Sequence, residues 1–265
     1  MNVVAIIPAR LSSTRLPGKP LCDLHGRPLI QHVWERARRC RRVGSVLVAT
    51  DDPGIAAVVE GFGGQAVLTS PSHRSGTDRL AEAAAGLSAD VVVNVQGDEP
   101  LLDPEAVDAA VAALGADPEV EIATLSAPLT DLEEMLAPSV VKVVTDARGD
   151  ALYFSRSPIP HLRQPGGDQR AAAAAAVAAG LARKHVGLYV YRRETLLRFA
   201  ALPQAPLEEA EGLEQLRALH HGLRVRVVAR SSAGGPAVDT PEDLERVRAL
   251  LAGAGAGWTR TGGRG

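Results

Sequence analysis

The chain has few cysteines and no excess of positive charge. Among its 265 residues, Cys22 and Cys40 are the only cysteines, too few for a disulfide framework and wrongly spaced for a zinc site. The formal net charge of −2 gives no global positive field of the kind that attracts nucleic acid or an anionic membrane. We therefore expect a protein of the reducing cytoplasm that binds neither nucleic acid nor membrane.

Long apolar runs and lysines are also scarce. The apolar run at residues 2–8 is too short for a signal-peptide core and is soon followed by Arg10, and no later run approaches the length of a membrane span. Only Lys19, Lys142 and Lys184 of the 29 basic residues are lysines. Two interpretations stay open: these positions require a compact ammonium group, or their placement is due to chance.

Short β-branched runs alternate with helical patterns through the first half of the chain. NVVAIIP, SVLVAT and DVVVNVQ are typical of strands, whereas LIQHVWERARR, TDRLAEAAAGL and PEAVDAAVAAL are typical of helices. This alternation predicts βαβ units, and so an α/β fold with a mostly parallel, doubly wound sheet. Ligands bind such sheets beyond the carboxyl ends of the strands, which directs attention to the segments PARLSSTRLPGKP and QGDEP.

The second half of the chain is less regular. We predict a single domain over residues 1–252 with an inserted lobe at about 121–222, and a flexible tail at 253–265. Residues 163–183 predict either a mobile loop that grades into a short alanine-rich helix or a structureless linker. PLEEAEGLEQLRALHHG predicts one helix that ends at Gly222.

The segment PARLSSTRLPGKP carries three cations, Arg10, Arg15 and Lys19, among small hydrogen-bonding residues. Arginine can bind two oxygens of a phosphate at once, and lysine acts as a mobile point charge, so this segment suits a triphosphate. The alternative is a solvated basic loop. It is not a Walker A loop, because proline follows Lys19 and the earlier glycine is missing.

The same segment resembles the signature of the Kdo (3-deoxy-manno-octulosonate) cytidylyltransferase family. The resemblance continues in order through HRSGTDRLAE, NVQGDEP, VKVV, ALYFSRSPIP, KHVGLYVYRR, LEQLRAL and VDTPEDLERVR, over roughly residues 3 to 250. It implies a Rossmann-like nucleotidyltransferase fold, CTP and Mg²⁺ as cosubstrates, a homodimer and a role in lipopolysaccharide biosynthesis. The lobe at about 121–222 would then contribute the acceptor site and dimer contacts. The alanine-rich segment 171–182 has no counterpart that we can match, and SSAGGPAVD before Asp239 is richer in glycine and proline than the glycine-containing segment that we expect there; both could border the acceptor.

Two aspartates are the candidate metal ligands. Asp98 follows the strand VVVNV, and Asp103 already supplies an N-cap for the next helix, so Asp98 has no evident structural task. Thr240 and Asp243 can cap the last helix and leave Asp239 similarly free. Mg²⁺ commonly binds one or two carboxylates with substrate phosphates and water, and the resemblance assigns Asp98 and Asp239 to it.

The resemblance also implies the substrate-binding residues. For catalysis these are Lys19, Arg10, Arg15 and Asp98. For the nucleotide they are Ala9, Arg10, Ser12, Ser13, Arg15, Lys19, His73, Ser75, Gly76, Thr77 and Gln96. For the acceptor they are Arg156, His185, Tyr189, Glu214 and Gln215.

Plain alternatives to the acceptor roles stay open on the residues alone. Arg156 suits a surface ion pair, Tyr189 a core position and Glu214 a helix-face charge. His185 and Tyr189 are four residues apart, so they share one face of a strand.

These observations predict transfer of CMP from CTP to a hydroxyl of an acidic acceptor, in the first place Kdo, with release of pyrophosphate. One alternative keeps the chemistry but changes the acceptor to another sugar acid or a small phosphonate. The other is a nucleotide-binding protein without catalysis.

Overall fold

The strands form where the sequence places its β-branched runs. The computed structural model describes residues 1–12, 15–73, 75–163, 167–232 and 234–254. Within them the strands are β1 (Val3–Ala9), β2 (Asp23–Leu24), β3 (Arg27–Pro28), β4 (Ser45–Thr50), β5 (Gln65–Leu68), β6 (Val91–Asn94), β7 (Ile122–Pro128), β8 (Lys142–Thr145), β9 (Ala151–Ser155), β10 (Arg183–Arg192) and β11 (Val225–Ala229).

The helices begin at capping residues that the sequence supplies. Asp52, Ser75, Asp103 and Asp168 each accept a hydrogen bond from a backbone N–H in the first turn of the helix that follows. The helices in the described residues are α1 (Leu29–Ala37), α2 (Pro53–Gly61), α3 (Gly76–Ala85), α4 (Pro104–Ala116), α5 (Leu132–Leu136), α6 (Gln169–Ala178), α7 (Arg193–Ala201), α8 (Pro206–Glu211), α9 (Gln215–His220) and α10 (Pro241–Ala254).

The central sheet is mixed. Its order is β11-β7-β10-β6-β1-β4-β5, with β8 and β9 attached at one side. The pairs β6-β1, β1-β4, β4-β5 and β11-β7 are parallel, whereas β10 runs antiparallel to both β6 and β7. The predicted α/β class with a mostly parallel sheet is confirmed, and the antiparallel pairs that make the sheet mixed involve β10 and the attached strands β8 and β9.

Helices cover both faces of this sheet, as a doubly wound fold requires. One face packs against Ile30, Val33, Val59 and Val107 from α1, α2 and α4. The other face packs against a second buried cluster from α3, α7 and α9 that includes Phe199. With both faces buried, the parallel strands read as continuous apolar runs in the sequence.

A smaller unit of α5 and α6 has its own apolar cluster, centred on Met135 and Ala176, whereas Val143 of β8 and Phe154 of β9 belong to the second cluster of the central sheet. The alanine-rich segment is helical from Gln169, so the loop-to-helix interpretation of residues 163–183 is the correct one there. The predicted lobe includes β7 and β10, which lie within the central sheet. Its boundaries and its dimer contacts stay predictions.

The side chain of Lys142 is fully buried beside this unit. Its ammonium donates to the backbone carbonyls of Ala137 at 3.0 Å, Val140 at 2.6 Å and Arg156 at 2.5 Å. Burial lowers the pKa of Lys142, and the three carbonyls satisfy its three N–H donors. A single compact ammonium thus ties together the segments that follow α5 and β9.

One predicted helix is wrong in its continuity. The segment 206–222 forms two short helices, α8 and α9, because Gly212 adopts a left-handed conformation with φ of 59° and ends the first of them. The capping of α10 by Thr240 and Asp243 is confirmed. Of the predicted tail, residues 255–265 lie outside the described residues, and no described helix is long and apolar enough to cross a membrane.

Candidate active site

A cleft of about 380 Å³ lies beyond the carboxyl ends of β1 and β6. After β1 the chain adds β4 and β5 on one side of β1 and then adds β6 on the other side. Ligands usually bind such a sheet at the point where the strand order reverses in this way. The cleft is lined by Pro8, Ala9, Arg10, Ser12, Arg15, Lys19, Pro20, His73, Ser75, Gly76, Arg79, Gln96, Gly97, Asp98 and Asp239. It therefore brings together every predicted nucleotide-binding, catalytic and metal residue except Thr77 and Ser13, and Ser13 lies outside the described residues.

The ammonium of Lys19 lies between the two candidate metal carboxylates. Its Nζ is 2.7 Å from Asp98 Oδ2 and 3.1 Å from Asp239 Oδ1. Arg15 reaches the other oxygen of Asp239 at 3.2 Å. Burial acts against the charge of Lys19, but the hydrogen bonds and charges of the two aspartates outweigh it and raise the pKa of this lysine. Lys19 and Asp239, which are 220 positions apart in sequence, thus form an ion pair in the cleft.

The loop after β1 presents its cations to this cleft. Arg10 and Ser12 are exposed, and the side chain of Arg15 is 64% exposed. The segment turns at Gly18, whose φ of 70° is in the left-handed region, and Lys19 follows in a short 3-10 turn. Exposed guanidinium groups beside a half-buried lysine suit a large anion that enters from solvent.

The amino-terminal end of α3 closes another side of the cleft. Ser75 and Asp78 form a capping box, in which Ser75 Oγ accepts from Asp78 N at 3.0 Å and Asp78 Oδ2 accepts from Ser75 N at 3.2 Å. Asp78 is therefore a structural cap. The backbone N–H groups of this first turn and the positive end of the helix dipole favour a negatively charged or hydrogen-bonding ligand.

Gly97 is a site residue that reasoning from the sequence misses. A Cβ at this position would lie 2.7 Å from the carbonyl oxygen of Pro8. The ends of β1 and β6 approach so closely here that only glycine fits, which sets where Asp98 leaves β6. The signal was present as the glycine of QGDEP.

Arg79 is buried, with only 4% of its surface exposed, yet it lines the cleft. Its guanidinium donates to Thr69 Oγ1 at 2.5 Å and lies 3.2 Å from Asp51 Oδ1. Nearby, the ring of His73 hydrogen-bonds to Glu82. These contacts join α3 to the segments that follow β4 and β5, and they fix the wall of the cleft.

Four of the predicted acceptor residues lie close to one another but outside the cleft lining. Glu214 and Gln215 at the start of α9 line a small pocket with Tyr189. The rings of His185 and Tyr189 are 5.4 Å apart on one face of β10, as their spacing predicts. The first turn of α3 reaches this group, because Thr77 Oγ1 donates to Glu214 Oε2 at 2.6 Å.

His185 is uncharged at neutral pH. Burial lowers its pKa to about 4. Its Nε2 lies 2.8 Å from Thr124 Oγ1, and the hydroxyl of Thr124 donates to the carbonyl of Leu188 at 2.7 Å. Since a hydroxyl has one proton, the hydrogen-bond network assigns the His185 proton to Nε2 and leaves Nδ1 as an acceptor.

Arg156 has a different environment. Its guanidinium donates to the backbone carbonyls of Glu211 at 2.6 Å, Pro138 at 2.9 Å and Gly212 at 3.2 Å. The carboxylate of Glu211 in turn accepts from the backbone N–H of Arg156 at 2.8 Å and from Ser155 Oγ at 2.7 Å. Arg156 thus links β9 to the turn between α8 and α9, just before Glu214.

Known proteins resemble this chain over most of its length. The family model described as cytidylyltransferase matches residues 4–225. The 3-deoxy-manno-octulosonate cytidylyltransferase of Geobacter sulfurreducens is 54% identical over 249 residues, which are 93% of this chain and 98% of that protein. The enzyme of the same name from Anaeromyxobacter sp. is 56% identical, over 95% of this chain and 97% of that protein.

Solved structures agree with these relatives. A CMP:2-keto-3-deoxy-manno-octonic acid synthetase complexed with CTP superposes with a TM-score of 0.87 at 45% identity, covering 96% of this chain and 99% of that one. A 4-diphosphocytidyl-2C-methyl-D-erythritol synthase from Anaerococcus prevotii has a TM-score of 0.59 at 14% identity, covering 95% of this chain and 98% of that one. The second likeness concerns the fold alone.

Proposed function

We propose the function from one premise: the chain belongs to the cytidylyltransferase family, and its relatives at more than half identity are Kdo cytidylyltransferases. The protein is a CTP-dependent nucleotidyltransferase that transfers CMP to a hydroxyl of Kdo and releases pyrophosphate. Its product, CMP-Kdo, serves lipopolysaccharide biosynthesis. In the fold, the observation that carries this function is the meeting of Lys19, Asp98 and Asp239 at the strand ends.

CTP occupies the cleft with its triphosphate along the loop after β1. Arg10, Arg15 and Lys19 neutralise the phosphate oxygens, and their placement around one opening supports this role. The first turn of α3, at Ser75 and Gly76, faces the nucleoside with its backbone N–H groups. Gln96 is held by a 3.2 Å hydrogen bond to the carbonyl of Gly187, which sets its side chain at the cleft wall.

Mg²⁺ fits the donors at Asp98 and Asp239. In the part of the chain that the structure describes, no group of three or more His, Cys, Asp or Glu side chains is placed to hold a metal. Two carboxylates that converge on one cation are, however, the donor set that Mg²⁺ uses when substrate phosphates and water complete its coordination. Asp98 and Asp239 would hold the ion, which would neutralise charge at the phosphate under attack and act as a Lewis acid there.

The chain itself contributes mainly orientation and charge. As the acceptor oxygen attacks the α-phosphorus in line, negative charge shifts to the departing pyrophosphate, and Arg10, Arg15 and Lys19 stabilise it. Lys19 bridges the two aspartates in the structure, so the same ammonium is placed to turn toward the phosphates. We assign no side chain as general base.

The acceptor lies beside His185, Tyr189, Glu214 and Gln215. Neutral His185 and the carboxylate of Glu214 are hydrogen-bond acceptors, which suit the sugar hydroxyls rather than the carboxylate of Kdo. The three hydrogen bonds that the guanidinium of Arg156 donates in the described structure all go to backbone carbonyls. Arg156 therefore supports the acceptor site from behind, and the carboxylate of Kdo takes its positive partner from the cations of the cleft.

We also assign a homodimer and a cytoplasmic setting. The homodimer is what the resemblance to the family implies. The free thiols of Cys22 and Cys40 suit a reducing compartment. Light scattering of the purified chain measures the oligomeric state, and a mass of one subunit at micromolar concentration contradicts the dimer.

The function is tested by incubating the protein with CTP, Mg²⁺ and a panel of acceptors that contains Kdo, sialic acid and small phosphonates. Pyrophosphate release and mass spectrometry of the CMP adduct are the readouts. We expect turnover with Kdo, and loss of at least about 100-fold in Asp98→Asn. Turnover with a different acid would overturn the acceptor but keep the chemistry, and inactivity with every acid would leave a nucleotide-binding protein.

A further inference from the structure

The first turn of α3 faces two different sites. Ser75 and Gly76 line the cleft. Thr77, the next residue, is only 4% exposed, and its hydroxyl donates to Glu214 Oε2 at 2.6 Å. The first turn of α3 therefore presents its backbone at Ser75 and Gly76 to the cleft and the side chain of Thr77 to the predicted acceptor residue Glu214.

We propose that Thr77 is a positioning residue of the acceptor site, which orients the carboxylate of Glu214, and that its side chain is not a nucleotide ligand. This inference rests on the proposed function, because it takes Glu214 as an acceptor ligand. It reassigns a residue for which the resemblance implies contact with CTP. The hydroxyl proton of Thr77 is already used by Glu214, so the side chain of Thr77 has no donor left for the nucleotide.

The orientation of Glu214 is set from two sides. Thr77 holds one carboxylate oxygen, Oε2, and the other, Oε1, lies 3.6 Å from the guanidinium of Arg217. Arg217 cannot move freely, because Glu208 binds its guanidinium through both oxygens and the ring of Phe199 packs under it at 5.2 Å. With Arg217 fixed, the hydroxyl of Thr77 decides the rotation of the Glu214 carboxylate.

Helix α3 is equally well anchored at its other end. The guanidinium of Arg193 donates to the carbonyls of Ala84 at 2.9 Å and Ala85 at 2.7 Å. Leu80 is fully buried in the cluster that α7 and α9 also join. The position of the Thr77 hydroxyl is thus fixed by the packing of the whole helix, which is a property that a loop residue would lack.

The size of the effect follows from the type of bond. A hydrogen bond to a charged group that is lost in a half-buried site typically weakens the dependent interaction by roughly 10-fold to 100-fold. Thr77→Val removes the hydroxyl and keeps the shape, whereas Thr77→Ser keeps the hydroxyl. We expect Thr77→Val to raise the KM for Kdo by about tenfold or more, with a change of no more than about twofold in the KM for CTP.

The two KM values separate positioning from a loss of folding. A variant that is partly unfolded has a lower apparent kcat, but its KM is unchanged because KM does not depend on the amount of active enzyme. We expect Thr77→Ser to restore the KM for Kdo to within about threefold of the natural protein. If Thr77→Val does not accumulate as folded protein, Thr77→Ala lacks the same hydroxyl, needs less space and gives the same readout.

A double variant tests whether Thr77 acts through Glu214. In a Glu214→Ala background, Thr77→Val is expected to change the KM for Kdo by less than about twofold, since its partner is gone. An unchanged KM for Kdo in Thr77→Val, an equal rise in both KM values, or a full effect in the double variant overturns the inference. Failure of the natural protein to use Kdo overturns the acceptor assignment instead, and the same comparison is then made with the acid that it does use.

Discussion

Replacing Lys19 by methionine is predicted to have two effects of opposite sign. It should strengthen the binding of a divalent metal in the absence of nucleotide, and it should weaken the reaction with CTP. The reason is that the ammonium of Lys19 occupies the space between Asp98 and Asp239, at 2.7 and 3.1 Å, where it competes with a metal for the same carboxylates. Methionine has a similar length and no charge, so it removes the competitor without opening a large cavity.

The magnitude follows from the two ion pairs. The side chains of Asp98 and Asp239 are 26% and 39% exposed, so each pair contributes about 1 kcal/mol after screening by solvent. Together the pairs oppose metal binding by about 2 kcal/mol, which is roughly a 30-fold change in affinity. For catalysis, the departing pyrophosphate loses one of its cations, and we expect kcat/KM for CTP to fall by about 100-fold or more.

Isothermal titration of the nucleotide-free protein with Mn²⁺ measures the first effect, and pyrophosphate release measures the second. Lys184→Met is the matched control, because Lys184 also pairs with a carboxylate, that of Glu134 at 2.8 Å, but outside the cleft lining. It should change neither quantity. Metal affinity that is equal or lower in Lys19→Met would refute the sharing of Asp98 and Asp239 between lysine and metal.

Three further predictions concern the fold around the site. Lys142→Met leaves three carbonyls without their donor and should lower the free energy of unfolding, measured with urea, by about 3 kcal/mol. If the variant is as stable as the natural protein, burying the charge costs as much as its hydrogen bonds contribute. His185 has its pKa lowered to about 4 from 6.5, so the folded state binds fewer protons than the unfolded state. Its contribution to stability is complete above about pH 6.5, and at most about 3 kcal/mol of it is lost as the pH falls toward 4. The urea midpoint of His185→Gln should therefore depend less on pH over this range than that of the natural protein. Gly97→Ala forces a Cβ to 2.7 Å from the Pro8 carbonyl oxygen and should destabilise the folded protein by about 1 to 3 kcal/mol. Gly86→Ala is the control, because nothing lies within 4 Å of its Cβ, and it should not destabilise the protein. Equal melting temperatures for the two variants would contradict the close approach of β1 and β6.

Much of the part of the chain that forms the nucleotide cleft can be predicted from the sequence, because its strands and caps depend on residues that are neighbours in sequence. The strands β1, β4 and β6 are continuous apolar runs, and their carboxyl ends point to the loop with Lys19 and the motif with Asp98 from the sequence alone. Asp103 and Thr240 can be recognised as caps from spacing, and both are confirmed as caps. These signals depend on neighbouring residues, which a sequence displays directly.

The acceptor half is harder to predict, since its geometry depends on contacts between distant residues. The antiparallel insertion of β10 between β6 and β7 has no local signature in the sequence, and helix α7 was not predicted. The break between α8 and α9 depends on Gly212, which could equally be tolerated inside a helix. Arg156 and Thr77 show the same limit: the resemblance points to substrate, but their hydrogen-bond partners are carbonyls and Glu214, which no spacing predicts.

The three lysines share one property. Lys19 lies between two aspartates, Lys142 donates to three carbonyls, and Lys184 pairs with Glu134. In a chain so rich in arginine, each position offers a compact space lined by oxygens. This favours the interpretation that an ammonium is required at these positions over chance placement.

The position of β10 also delays the pairing of one edge of β6 during synthesis of the chain. One edge of β6 pairs with β1, but the other edge gains its partner only when residues up to Arg192 have been made. At ordinary rates of translation this interval lasts roughly 5 to 20 s, during which the free edge of an apolar strand is open to association with other chains. Strand β7 waits in the same way for β10 and β11, so slower synthesis lengthens the exposure of two apolar strands.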